Sequence, residues 1–285
     1  MTEIIERAEV AQLLADPRFL VPEADASAST PFDRFRALAS RFANGAAHGA
    51  RRSRLDAMLA ALHPAELAEL ASARTQEALE HGRDVPFIAR QVPVAALAAA
   101  LGFSEPDRLP PLVAEVTGRY ASGTATDAAA EEAAIEHLLA AAPPTADDEG
   151  RVLSVQLLVQ AHAATAALVV GAMRLEASVI PQPSTRELLH TTLREESPVP
   201  LTRRTAPDGT LLVLRLDGPD AEAEARGVEP RTLAFGAGPR GCPAPHHALA
   251  IAAAIVDELR RALPGATASA TRPSNTEETF HADAR

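Results

Sequence analysis

The chain has 285 residues, 47% of them hydrophobic and 23% charged, with a formal net charge of −11 at pH 7. This length and balance predict a globular protein with a sizeable core. The negative charge argues against nucleic acid as a partner, and with aromatic residues at only 3% the chain has few rings to stack on bases.

The N-terminal residues 1–7 lack the apolar stretch of a signal peptide. No uninterrupted apolar run reaches the ~18 residues of a membrane span. A lone cysteine forms no internal disulfide and fits a reducing compartment. We therefore expect a cytoplasmic protein without a membrane contact, built as one domain over 1–285 with residues 1–8 and 265–285 peripheral. The heavy use of Ala, Arg and Pro is typical of a GC-rich bacterial genome.

Helical spacing of apolar residues dominates the first half of the chain, and Pro and Gly mark its breaks. The predicted helices cover 4–14, 32–43, 48–62, 64–83, 85–103 and 109–142, the last with a weak break at 122–124. On the third helix His48 and Arg52 are four residues apart and therefore share a face. They either hold an anion or belong to a solvated basic face.

Residues 152–175 form the longest apolar helical run in the chain. At ~1.5 Å per residue this helix spans about 35 Å, and its low charge predicts a buried central position. Another helix follows at 184–194. The alternation of Leu and Val with polar residues over 210–216 predicts a strand.

The only cysteine lies in a glycine-rich stretch in which Phe235, Gly236, Gly238 and Arg240 precede Cys242 at fixed spacing. A helix is predicted directly after it, as far as 263. A helix N-terminus lowers a thiol's pKa and so favours the thiolate, which is the metal-binding form. The glycines allow close approach of a flat ligand, and Arg240 suits a carboxylate.

Two simpler interpretations of this stretch remain open. A lone cysteine is commonly a small buried hydrophobe. A glycine-rich loop before a helix also binds phosphate. However, residues 236–239 lack the third glycine of a dinucleotide fingerprint and the Lys-Ser/Thr of a P-loop.

The Phe-Gly-x-Gly-x-Arg-x-Cys spacing resembles the cysteine-ligand loop of the cytochrome P450 superfamily. The resemblance implies that Cys242 ligates the iron of haem b and that Arg240 pairs with a haem propionate, while Phe235, Gly236 and Gly238 shape the loop. One departure is Ala244, where the family usually has glycine. The implied fold is mainly α, a reduced P450-like fold with a long central helix over the haem and a small residual β region.

Further positions follow the family's order. His48 and Arg52 match its His-x-x-x-Arg propionate pair. Arg204, or else Arg203, stands at its propionate arginine, after a Pro-Val segment. Arg194 matches the arginine of its Glu-x-x-Arg helix, but Thr191 occupies the place of the glutamate. We expect Glu187 to compensate in part, and Arg226 or Arg231 to complete this structural brace.

The central helix departs from the family at the site of oxygen chemistry. Ala161 lies at the glycine that faces the haem, and Thr165 matches only the last place of the pattern. Ala163 and Ala164 replace the acid and the threonine, so this pair supplies no proton donor. We expect His162 or Gln160 to take that role, unless His162 turns away toward a neighbouring helix.

The resemblance implies a haem-thiolate enzyme that acts on a small organic molecule, in bacterial specialised metabolism. Because Ala163 and Ala164 supply no proton donor, three possibilities for the oxidant stay open. The enzyme uses dioxygen with a ferredoxin or reductase, it uses peroxide, or it catalyses a redox-neutral reaction that needs no oxidant. The alternative is a degenerate auxiliary protein that stabilises a partner enzyme without catalysis. A phosphate- or nucleotide-binding protein has only the glycine loop in its favour.

Overall fold

The computed structural model describes residues 1–25, 27, 29–144, 147–178 and 183–263. Strands β1 to β3 span Thr2–Ile4, Leu201–Thr205 and Leu211–Arg215. Helices α1 to α11 span, in chain order, Arg7–Ala15, Pro31–Leu38, Gly45–Ala60, Pro64–Glu80, Val85–Leu101, Leu109–Ser122, Ala128–Ala141, Asp148–Glu176, Thr185–Glu195, Ala221–Ala225 and Pro245–Ala262. The described chain is thus mainly helical with one small sheet, as the sequence predicts.

Local signals set the helix ends. The Asp84 side chain accepts a hydrogen bond from the Phe87 N–H and begins α5, which ends at Gly102 in the left-handed conformation. Ser184 and Glu187 form a reciprocal capping box at the start of α9. The weak break predicted at 122–124 separates α6 from α7, where Asp127 caps the new helix.

The long helix α8 lies at the centre. It packs against α5, α6, α9 and α11. By length and composition alone α8 could cross a membrane, but 72% of its most apolar window is buried inside the protein. The prediction of a buried central helix is confirmed.

The sheet has the order β1-β3-β2. Strands β2 and β3 form an antiparallel hairpin, with Leu201 opposite Arg215. Strand β1 pairs with β3 in parallel, with Thr2 opposite Leu212. The strand predicted at 210–216 is therefore confirmed, while β2 lies in a segment for which no strand was predicted.

The N-terminus corrects the sequence prediction. The first helix begins at Arg7 rather than at residue 4, because Thr2–Ile4 belongs to the sheet. Arg7 is buried and donates to the carbonyls of Gly218, Arg231 and Arg194 at 2.6, 2.8 and 3.0 Å. Residues 1–8 thus contain a strand of the sheet and the buried Arg7, whereas 265–285 lie outside the described residues.

A small second core supports the cysteine stretch. Val10 and Leu14 of α1 pack there with apolar residues of β3 and with Leu233, which precedes the loop. The loop therefore rests on α1 and the sheet, while the large helical core around α8 lies on its other side.

Candidate functional site

The cysteine loop is closed by its own backbone. The N–H of Cys242 donates to the Phe235 carbonyl at 2.7 Å, and the N–H of Gly236 donates to the Leu233 carbonyl at 2.7 Å. Gly236 and Gly238 have φ angles of +69° and +65°, in the left-handed region that glycine tolerates. Helix α11 begins three residues after the cysteine, as predicted.

The Cys242 thiol has a mixed environment. The residue is exposed on one side, yet the surrounding protein desolvates the thiol and raises its pKa. The Ala244 N–H, 3.4 Å from Sγ, and the charge of Arg52 both act to lower that pKa. The group is therefore a thiol until a cation binds, and a coordinating metal deprotonates such a thiol outright.

Two arginines tie the loop to the region around α3. Arg52 donates to the Gly241 carbonyl at 2.7 Å. Arg240 donates to the Ala43 carbonyl at 2.5 Å and to Asn44 Oδ1 at 2.7 Å. Both side chains predicted to meet propionates thus also hold the loop in place.

A cluster of cations forms beside this loop. Arg204 is only 6% exposed, and burial, together with the charges of Arg240 and Arg41, lowers its pKa to about 10. Burial and then Arg240, Arg52 and Arg204 lower the pKa of His48. Four of these groups, Arg41, Arg204, Arg240 and His48, are absent from every ion pair among the described residues.

A buried cation without a counter-charge is costly, so this cluster calls for an anionic ligand. In the described part of the chain, no three His, Cys, Asp or Glu side chains lie together as a metal site. A metal bound at Cys242 must therefore come with most of its other ligands. A haem would meet both requirements, the further metal ligands and the negative charge, because its ring supplies four nitrogens to the iron and its two propionates are anionic.

Comparisons with known proteins decide the fold. No protein-family model matches the sequence, and no curated protein matches it either. Solved structures of other proteins do match this chain. P450BioI in complex with an acyl carrier protein ligated to hexadec-9Z-enoic acid is 16% identical, with a TM-score of 0.77 over 92% of this chain and 85% of that chain. This chain has the cytochrome P450 fold.

Two further P450 structures show the same likeness. CYP109E1 from Bacillus megaterium, in complex with testosterone, has a TM-score of 0.69 at 17% identity, over 98% of this chain and 89% of that chain. Ligand-free CYP164A2 from Mycobacterium smegmatis has a TM-score of 0.68 at 19% identity, over 92% and 84%. The P450 fold predicted from the cysteine loop and the order of the helices is confirmed.

The central helix of this P450 fold brings some predicted distal residues together. Ala161 and Ala164 are three residues apart, share one face of α8 and are half-buried. Gln160 lies beside them, and its amide donates to the Tyr120 hydroxyl at 3.3 Å. Thr165 is buried further round the helix. Tyr120 of α6 was not predicted from the sequence, because nothing local pairs it with a residue 40 positions away.

His162 points elsewhere. It lies about 160° around the helix from Ala164 and lines a cavity shared with Pro86 and Arg90 of α5. Burial and the charge of Arg90 lower the pKa of His162. The alternative in which His162 turns toward a neighbouring helix therefore agrees with the structure, and Gln160 is the polar side chain left beside the two alanines.

The helix brace of the P450 fold is completed in an unexpected way. Arg194 pairs with Glu229 at 2.6 Å and donates to Thr191 Oγ1 at 3.3 Å. The expected compensation by Glu187 is wrong, because that carboxylate is engaged in the capping box with Ser184.

The arginines expected to complete the brace also pair elsewhere. Arg226 meets Glu222, and Arg231 meets Asp220 at 2.7 Å. The segment before the cysteine loop thus contributes an acid to the brace, where the sequence interpretation expected a base.

Proposed function

We propose that this chain binds haem b with Cys242 as the protein ligand to iron, and that it transforms a small organic molecule at that iron. The observation that carries the proposal is the basic cluster of Arg204, Arg240 and His48 beside the cysteine loop, in which Arg204 is buried and has no ion pair among the described residues. A dianionic ligand would supply the negative charge that the buried Arg204 lacks.

Each residue has a defined part in this proposal. Cys242 ligates the iron, and the Ala244 N–H at 3.4 Å moderates the charge on its sulfur. Arg204 and His48 bind propionates, while Arg52 and Arg240 fix the loop. When bound, a thiolate-ligated haem supplies an electron-rich iron that favours O–O cleavage.

The distal face supports a less common source of oxidising power. The side chains of Ala163 and Ala164 carry no proton donor, and the Gln160 amide is held by Tyr120. General acid help is typically worth ~10²–10⁴ in rate, so dioxygen activation through a ferredoxin and reductase is disfavoured. We assign the chain to peroxide-driven or redox-neutral chemistry. Ala161 and Ala164 leave space for the substrate on this face.

The substrate class is a small apolar organic molecule. Two structures with the same fold contain a hexadecenoic acid chain and testosterone, both apolar. The setting we propose is cytoplasmic and belongs to bacterial specialised metabolism. These assignments rest on the fold likeness and on the sequence.

The test begins with haem uptake. The purified full chain is mixed with haem, reduced and exposed to carbon monoxide. We expect the Soret band of a thiolate-ligated ferrous–CO complex, lost in Cys242→Ala. Absence of haem uptake by the folded chain contradicts the proposal and supports the auxiliary role without catalysis.

The propionate assignments have a matched control. Arg204 is buried, whereas its neighbour Arg203 is exposed. Arg204→Gln and His48→Ala should each release haem at least ~tenfold faster, the loss of one charge-assisted contact, with the Soret position unchanged. Arg203→Gln should behave like the parent chain. Equal off-rates in all four proteins contradict the assignment.

The oxidant is tested by comparing turnover with peroxide and turnover with a ferredoxin and reductase. We expect only peroxide to support oxidation in the parent chain. Ala163→Asp combined with Ala164→Thr should then raise reductase-driven turnover. Efficient reductase-driven turnover by the parent chain contradicts the role given to the alanine pair.

A further inference from the structure

The cavity that His162 lines has a volume of about 650 Å³ and is bounded by residues of both α5 and α8. We call it the α5–α8 cavity. It is lined by Pro86 and Arg90 of α5, by residues of α8 that include His162, by residues 196–198 and by Asp217. Its volume falls within the ~300–1,000 Å³ of small-molecule sites. No residue of the cysteine loop lines it.

His162 makes this cavity chemically unusual. The side chain is 8% exposed, and neither ring nitrogen has a hydrogen-bond partner among the described residues. A buried polar group without a partner destabilises a fold, and such groups are rare in native proteins. A neutral imidazole offers one donor and one acceptor, so a carboxylate in the cavity would accept a hydrogen bond from the ring N–H.

The charges around the cavity favour an anion. Arg174 is paired with Glu196 at 3.1 Å, and Asp217 is paired with Arg215 at 2.9 Å. Arg90 is exposed and forms no ion pair among the described residues. Among the two basic and two acidic side chains that line the cavity, Arg90 is therefore the one without an ion-pair partner, and it lies close enough to His162 to affect its titration.

The remaining wall is apolar and flat. It is formed by the small side chains that α8 presents at helical spacing, namely Ala163, Ala166, Ala167, Val170 and Gly171. Together with Pro86 they leave room for a ring or a short chain.

We infer that the α5–α8 cavity is a binding site for a small organic carboxylate with an apolar body, whose carboxylate lies between Arg90 and His162. The apolar body lies along the alanines of α8. The polar end of the site, at Arg90 and His162, is separate from the cysteine loop, no residue of which lines the cavity, while Ala163 belongs both to this wall and to the predicted distal pattern. The inference does not rest on haem binding.

The inference is tested with phenylacetate and its neutral analogue phenylacetamide. Isothermal titration calorimetry is run on the full chain as purified and again after haem is added. We expect saturable binding of phenylacetate in both cases and at least ~tenfold weaker binding of phenylacetamide, which lacks the charge for Arg90. Ring ¹⁵N resonances of His162 should shift only with phenylacetate.

Variants locate the site. Arg90→Gln should weaken phenylacetate binding about tenfold, whereas Arg34→Gln, at an exposed arginine of α2, should not. Ala167 lines the cavity but is exposed, so Ala167→Phe fills the space without disturbing the core. It should abolish binding, while Ala73→Phe on the exposed face of α4 should not.

Two results overturn the inference. One is the lack of any saturable phenylacetate binding, which would leave water as the partner of His162. The other is binding that neither Arg90→Gln nor Ala167→Phe weakens, because the probe then lies elsewhere, on the haem side included. Because phenylacetate binding is measured both without and with haem, failure to bind haem does not prevent the test of this cavity. Failure of the proposed function is therefore distinguishable from failure of this site.

Discussion

Arg52 of α3 donates a 2.7 Å hydrogen bond to the carbonyl of Gly241, the residue next to Cys242. Its Nε also pairs with Asp56, one turn further along the same helix. The sequence predicts that Arg52 contacts a haem propionate, and in the structure Arg52 contacts the cysteine loop itself. This contact links the position of the thiol to helix α3.

Arg52→Gln should therefore loosen the cysteine loop. We expect the free energy of unfolding to fall by about 1 kcal/mol, the value of one hydrogen bond from a charged donor with partial exposure. Haem should also dissociate several-fold faster. Urea unfolding and haem transfer to apomyoglobin measure the two effects.

Asp56→Asn is the matched control for Arg52, because it removes the exposed ion pair and keeps the bond to Gly241. We expect a change below ~0.5 kcal/mol and normal haem retention. If both variants behave alike, the loop contact has no role of its own.

The half-buried His48 and the buried His162 predict a pH dependence for the haem-free chain. Burial lowers the pKa of His48, with Arg240 next in effect, and burial with Arg90 lowers the pKa of His162. A base whose pKa falls on folding binds more protons in the unfolded state. Stability is therefore full above pH 6.5 and falls as the pH drops below 6.5 toward the folded-state values.

Urea midpoints at pH 7.5 and pH 5.5 check this dependence. The parent chain should lose stability at the lower pH, and His48→Gln or His162→Gln should each reduce that loss. His246→Gln, at an exposed histidine of α11, serves as the control. If the difference in urea midpoint between pH 7.5 and pH 5.5 is unchanged in both the His48→Gln and the His162→Gln chains, the prediction is wrong.

The pair between Arg194 and Glu229 predicts a rescue experiment. Glu229 is mostly exposed, so Glu229→Gln should lower the free energy of unfolding by less than ~1 kcal/mol. Thr191 lies one turn before Arg194 and already contacts it at 3.3 Å. Thr191→Glu should supply a carboxylate on the same helix face and restore the lost stability.

Chemical unfolding of the single and double variants tests this compensation. Glu195→Gln on the exposed side of α9 controls for the loss of a negative charge. If Thr191→Glu stabilises the parent chain and the Glu229→Gln chain equally, the two acids act independently, and Glu229 is not part of the brace.

Much of the helical fold was predictable because its signals are local. Proline, glycine and capping side chains lie within a few residues of the helix ends that they set, as at Asp84 and Gly102. Strand β1 was missed because a three-residue segment has no periodicity, and its pairing with β3 joins positions about 210 residues apart. Its stability comes from that distant partner.

The candidate site residues were selected where residue type limits the chemistry. Cys242 and Arg240 were selected by their spacing, His48 and Arg204 through the family resemblance, and their roles at a haem stay predictions. The structure brings Arg240 close enough to shift the pKa of both His48 and Arg204. The bond from Arg52 to Gly241 was not predictable, because a backbone carbonyl leaves no mark in the sequence. Nor was the direction of His162, because α8 is apolar on most of its faces, and such a helix does not reveal its rotation.

The two glycines of the cysteine loop predict different costs of substitution. Both have positive φ, so alanine at either is destabilising by ~1–2 kcal/mol from backbone strain. At Gly236 an added Cβ would lie 3.6 Å from the nearest backbone atom, an ordinary contact. At Gly238 it would lie 2.6 Å from the Cα of Ala15 and 2.7 Å from the carbonyl oxygen of Leu14.

Gly238→Ala must therefore move the loop away from α1 in addition to straining it. We expect a loss of about 3 kcal/mol or more, against ~1–2 kcal/mol for Gly236→Ala, with faster haem release to match. Gly49→Ala is the control: it lies on α3 with open space around it, and should stabilise the helix by ~0.5–1 kcal/mol. Urea unfolding of the three variants ranks them. A Gly238→Ala chain as stable as Gly236→Ala would show that the loop does not depend on its close contact with α1.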